Sequence, residues 1–170
     1  MRPVFDRLYS LSAFLGALTL GLICLVISAQ VFLNVVDKLA LFFTGEAIGL
    51  TIPSYSTFSG LFLASGTFLA LGYTFRHGAH IRVSLLLQHL PSRHRRIADT
   101  LSLVMALVVV AVMTISLGFI TWEAWFYGDT TSDIIAVPIW IPQAFMTFGS
   151  AIFFLAILDR LLNPSNEIES

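Results

Sequence analysis

LYSLSAFLGALTLGLICLVISAQVFLNVV, residues 8–36, contains no Asp, Glu, Lys, Arg or His. A helix rises about 1.5 Å per residue, so about 20 apolar residues cross a hydrocarbon core of about 30 Å. This run is long enough to span a membrane, and at about 43 Å it must tilt or project beyond it. Three more stretches follow, at about 55–75, 97–120 and 139–158, and none carries an ionisable side chain deep inside. The reading is an all-α integral membrane protein, one domain over residues 1–170, with four transmembrane helices.

Composition agrees. Hydrophobic residues make up 57% of the chain and charged residues 11%, with mean hydropathy +0.88; soluble domains carry about 25% charge. A net charge of -1 leaves no basic domain for nucleic acid. The lone Cys24 excludes an internal disulfide and reads as a small core residue. Arg2 and Arg7 before the first stretch, with Ile27-Ser28-Ala29 inside it, faintly resemble a secretory signal. A signal's apolar region runs only about 7–15 residues, so a retained first span is expected.

Eight of the nine basic residues fall on one side of the four spans, and Lys38 alone lies on the other. Lys and Arg collect in cytoplasmic loops, which predicts both termini inside (N-in/C-in). Trp122, Trp125, Tyr127 and Trp140 then sit at the outer headgroup level, with Glu123 among them. Pro138 and Pro142 bracket the start of the fourth span, where proline is tolerated in a first helical turn. Gln30 and Asn34 share one face near the outer end of the first span and read as hydrogen-bonding groups within the bundle or toward another subunit.

Between the second and third spans the chain reads RHGAHIRVSLLLQHLPSRHRR, residues 76–96. On a helix Val83, Leu86, Leu87 and Leu90 make one apolar stripe, ended by Pro91. This predicts a short amphipathic interfacial helix over about 81–90, lying on membrane lipids. Gly78 supplies freedom for the bend into it, His80 beside Arg82 pins that bend, and Ser92 caps the third span. Arg93, Arg95 and Arg96 read as lipid anchors and topology determinants.

All four histidines (His77, His80, His89, His94) sit in this loop, so the spans hold no haem ligands, and His77 with His80 has no carboxylate or cysteine beside it to complete a metal site. No cofactor is expected. Catalytic and nucleotide-binding motifs are missing, as is an internal repeat. Small residues mark helix contacts: Ser56, Gly60 and Ala64 in one register of the second span, Gly66 and Ala70 in another, and Ala13, Ala17 and Gly21 in the first span. They predict that the first two spans pair.

Two motifs carry a family resemblance. Phe68-Leu69-Ala70-Leu71-Gly72-Tyr73-Thr74 followed by Gly78-Ala79-His80-Ile81-Arg82-Val83 resembles the signature of the small, DctQ-like membrane subunit of tripartite ATP-independent periplasmic (TRAP) transporters. Gly128-Asp129-Thr130-Thr131-Ser132, with Pro138-Ile139-Trp140-Ile141-Pro142-Gln143, is similar to the family's second landmark. Two departures mark a subgroup: Ser84 stands where many members have an acid, and Tyr55-Ser56-Thr57-Phe58 lacks the acids common at the start of the second span.

The resemblance implies a periplasmic substrate-binding protein that captures an organic anion such as a carboxylate, and a large membrane subunit that moves it inward on a sodium gradient. The small subunit would extend the static scaffold and offer outer-face contacts, with Asp129, Asp133, Pro138, Trp140, Pro142 and Gln143 as candidates. Spans without charge at membrane depth agree with that role. Alternatives from the residues are a free-standing small transporter or channel using Gln30, Asn34 and Glu123, and a redox-enzyme anchor, against which the lack of span histidines argues.

Overall fold

A computed structural model describes residues 2–76 and 92–162. The interfacial helix expected at 81–90, the motif residues Gly78, His80, Ile81, Arg82 and Val83, and the other loop histidines except His94 lie outside the described residues. So do the side chains of Arg93, Arg95 and Arg96 and the proposed Ser92 cap, although the backbone there is helical.

Among the described residues four helices form: α1 (Arg2–Thr44), α2 (Tyr55–Arg76), α3 (Ser92–Tyr127) and α4 (Trp140–Leu162). All four contain windows long and apolar enough to cross a membrane. The chain is a multi-pass membrane protein. The start of α1 and the end of α4 share one end of the bundle, called here the terminal end; the loops at 45–54 and 128–139 make up the loop end.

The apolar runs located the helices but understated two of them. α1 continues past the expected boundary at 36 to Thr44 and reaches about 64 Å over its 43 residues. Asp37 and Lys38 interrupt hydropathy without interrupting backbone hydrogen bonding. Gly45, at φ 74°, ends the helix, its N–H bonding the Leu41 carbonyl at 3.0 Å. α3 likewise begins at Ser92 and runs to Tyr127 rather than from 97 to 120. It ends in a Schellman turn: Gly128 takes φ 68°, and the Asp129 N–H reaches the Ala124 carbonyl at 3.0 Å.

In space the helices lie in the order α1, α2, α4, α3, with a smaller contact between α1 and α4. The pairing of α1 with α2 is present; on α2 it uses the Gly66 and Ala70 register, and on α1 a face other than the Ala17 and Gly21 stripe. On α1 the residues withdrawn from the surface include 9, 12, 16, 19, 23, 26, 30 and 33, a seam spaced alternately by three and four. Gly16 lies against Gly66 and Ala70: a Cβ at Gly16 would stand 3.1 Å from the Gly66 carbonyl oxygen. Ser12 donates a hydrogen bond to the Leu69 carbonyl, satisfying a hydroxyl with no exposed surface. Ala17, Gly21 and Gly60 are exposed, and Cβ atoms at the two glycines would meet nothing within 4 Å. Cys24 is also exposed, which corrects its reading as a core residue; it falls off the three–four seam.

α4 is the most buried helix, followed by α2. A Cβ on Gly149 would lie 2.5 Å from the carbonyl carbon and oxygen of Phe68, and one on Gly72 would lie 2.7 Å from Ile152 Cγ2. These glycines let α2 and α4 approach backbone to backbone, the packing that holds helices together where lipid is as apolar as leucine. Toward the terminal end Tyr9, Ile152 and Ala156 form a buried cluster, flanked by Leu8, Tyr73 and Phe75. Arg76 lies 5.0 Å from the centre of the Tyr9 ring and Arg160 5.5 Å from that of Phe75, so cations close the cluster at its rim.

Candidate functional site

At the loop end two loops become one surface. The 45–54 loop folds back along α1. Gln30, only 3% exposed, accepts the Ile52 N–H at 2.7 Å and donates to Asn34 Oδ1 at 2.8 Å and Thr51 Oγ1 at 3.2 Å. Its partners are therefore its own helix and the following loop, not another span. Asp37 accepts the Gly49 N–H at 2.7 Å. The turns of α1 beyond Gln30 project past the start of α2, with Phe42 and Phe43 exposed.

The 128–139 loop forms a small hairpin. The Thr131 N–H reaches the Val137 carbonyl at 2.9 Å and the Ile139 N–H the Asp129 carbonyl at 3.0 Å, while the Thr131 hydroxyl accepts the Val137 N–H. The hairpin docks on the start of α2: Ser54 Oγ accepts the Ile135 N–H at 3.2 Å, and the Thr57 hydroxyl donates to Asp133. Ser54 sits at φ 58°, in the left-handed region.

This geometry sorts the six candidate contacts. Asp129 and Trp140 are exposed; Asp133 is exposed and already held by Thr57. Pro142 is buried in the first turn of α4, and its carbonyl lies 3.4 Å from the Ser65 hydroxyl. Pro138 is half-buried and bridges to Thr130. Gln143 is half-buried, and its Oε1 is enclosed without a hydrogen-bond partner. Of the packing candidates, Gly66 and Ala70 meet α1, whereas Gly60 faces open space beside half-buried Ala64.

Nearer α3, the rings of Trp122 and Trp125 meet edge to face at 5.4 Å. Together with Trp140 they rim a groove of about 540 Å³ between α3 and α4, floored by Gly118, Ala144 and Ala151. At its base the Thr121 and Thr147 hydroxyls lie 3.0 Å apart and within hydrogen-bond distance of the Leu117 and Gln143 carbonyls, so one hydroxyl donates to the other or to its own carbonyl. The sequence had offered the three tryptophans as headgroup anchors, and Trp140 also as an outer-face partner contact. The groove depends on small residues from two helices whose pairing no single stretch reveals.

Among the described residues no group of three His, Cys, Asp or Glu is placed to hold a metal. Charged side chains lie toward the helix ends, at Arg7, Asp37, Lys38, Arg76, Asp99, Glu123, Asp159 and Arg160. The geometry is that of a multi-pass helical subunit built for packing. The family description "Tripartite ATP-independent periplasmic transporters, DctQ component" matches residues 23–166, and the chain belongs to that family. It is similar to the ectoine TRAP transporter small permease protein TeaB of Halomonas elongata, 30% identical over 152 residues covering 84% of this chain and 72% of the relative. No solved structure matches. The chain is thus a small permease subunit of a TRAP transporter and not an enzyme, in a family whose tripartite organisation implies a large membrane subunit and a binding protein.

Proposed function

We propose that this subunit is a static scaffold beside the large transport subunit, in a bacterial or archaeal cytoplasmic membrane, with both termini inside. The arginines of the terminal end support that orientation, since the loop end carries only Lys38. The observation that carries the scaffold reading is the lack of any acid or base at membrane depth in the four spans. A path for sodium or a substrate anion needs compensating groups there, because a lone mid-membrane charge costs about 2.5–3.5 kcal/mol even on insertion scales.

Transport itself would belong to the large subunit, driven by sodium, with an organic anion such as a carboxylate delivered by the periplasmic binding protein. Ectoine, named for the relative, is the second substrate class to assay. The open Gly60 and Ala64 face of α2 would meet the large subunit, and Asp129, Asp133 and Trp140 the binding protein. Arg93, Arg95 and Arg96 would hold the following helix to anionic lipid, each attracted by about 1 kcal/mol, and the arm at 81–90 would lie on the same surface through Val83, Leu86, Leu87 and Leu90.

Co-purification tests the assembly. Leucines at Gly60 and Ala64 are expected to abolish recovery of the large subunit while the chain alone still folds. Retained assembly would remove that face from the interface. Glu123→Gln is expected to leave uptake substantially intact.

A further inference from the structure

We infer that the tryptophan-rimmed groove between α3 and α4 holds one acyl chain of a zwitterionic phospholipid, drawn from the leaflet at the loop end. Its lining is apolar, and no ionisable side chain enters it. The Thr121 and Thr147 hydroxyl protons at its base each have an acceptor within the protein, a backbone carbonyl or the other hydroxyl. The floor therefore asks nothing polar of an occupant.

Length matches a lipid chain. Along α4 the lining runs from Trp140 to Ala151, about 16 Å at 1.5 Å per residue, close to the depth of one leaflet of a hydrocarbon core about 30 Å thick.

Depth and access agree. The groove begins at the three tryptophans, whose rings prefer the headgroup level, and runs from there toward the membrane centre. A second hollow of about 360 Å³, lined by Ile115, Gly118, Phe119 and Trp122, shares two residues with it. That hollow opens on the flank of α3, where only 6% of the most apolar window is buried. The groove is continuous with surface that lipid must cover.

Charge selects the headgroup. The loop end carries Asp37, Glu46, Glu123, Asp129 and Asp133 against Lys38, and Lys38 is on α1 at the far side of the row. An anionic headgroup finds no cation near the groove, whereas a zwitterionic one has an ammonium to set against the acids. The three indole N–H groups make no hydrogen bond within the described residues and are donors for its phosphate or ester oxygens.

Native mass spectrometry of the full chain, released from vesicles of equal phosphatidylethanolamine and phosphatidylglycerol, tests this. One retained phosphatidylethanolamine is expected, with Ala144→Phe reducing retention at least fivefold and Val109→Phe, on the exposed face of α3, leaving it unchanged. Equal loss or equal retention in both variants, or a preference for phosphatidylglycerol, would overturn the proposal. An acyl-chain diazirine lipid in vesicles supplies a readout on the unaltered chain. Cross-links concentrated at Ala144, Phe148 and Ala151 support the site, and cross-links spread evenly with Val108 and Val109 contradict it. Cross-links that vanish once the large subunit is bound would mean a protein segment occupies the groove, which also contradicts it.

Discussion

In α4, 33% of the most apolar window is buried within the chain; in neighbouring α3 the share is 6%, although the α3 window is the more apolar of the two. The buried positions of α4 mix the small residues Gly149, Ser150 and Ala156, where other helices come close, with Pro142, Ile152 and Ile157. α3 presents Val108, Val109, Val112, Ile115 and Phe119 outward. In water the most apolar helix would be the most buried. In lipid, bulk apolar residues mark the face that meets acyl chains, and small or hydroxylated residues mark the face that meets another helix. Hydropathy alone would rank α3 as more interior than α4, the reverse of what is found.

The largest expected break in that contrast comes at Gly149. Gly149→Leu drives side-chain atoms into the Phe68 backbone, which cannot swing aside as a flexible side chain can. A loss at or beyond the upper end of the usual 1–3 kcal/mol for overpacking is expected, seen as collapse of folded yield. Val109→Leu on the α3 rim should leave yield and unfolding unchanged. Equal damage from both would erase the distinction between the helices.

Gln30→Leu comes next, because it strands the Ile52 N–H. A buried donor left unsatisfied costs about 1–3 kcal/mol. Faster hydrogen exchange at Ile52 is the expected sign, and unchanged exchange would mean the loop is held elsewhere. Gly66→Ala should cost less, about 1 kcal/mol at the mild end of overpacking, since its new methyl meets the Thr19 hydroxyl rather than backbone. Adding Thr19→Ala is expected to restore unfolding in mixed micelles toward wild type.

The smallest effect sharpens the α3–α4 contact. Thr121→Val and Thr147→Val in a double-mutant cycle should give a coupling near 0.6 kcal/mol, the average for hydrogen bonds between membrane helices. A coupling of zero would leave that contact to shape alone.

These same residues show what the sequence made legible. The four spans followed from charge-free length, and α2 began and ended within a residue of expectation. α1 and α3 ran longer because hydropathy reports where lipid ends, while a helix ends where its backbone is capped, at Gly45 and Gly128. The α1–α2 pairing was readable, and Gly66 with Ala70 lies in it, but its face on α1 was sought in a four-residue repeat. Such a repeat turns about 40° at each step and drifts away from a seam of alternating threes and fours. Ser12, Gly16, Thr19 and Gln30 at that alternating spacing were the available signal. The Gly149–Phe68 contact and the α3–α4 groove had no such signal, because each joins segments far apart in the chain. The inner-loop motif, informative for family, lies outside the described residues and adds nothing to the geometry.

On the proposed function, this subunit supports transport by packing and performs none itself. Sodium-driven substrate uptake in proteoliposomes, measured with the large subunit and binding protein in the presence and absence of this chain, tests it most directly. Uptake only when all three are present, and none from this chain alone, is the predicted result. Full uptake without it, or uptake by it alone, would contradict the claim.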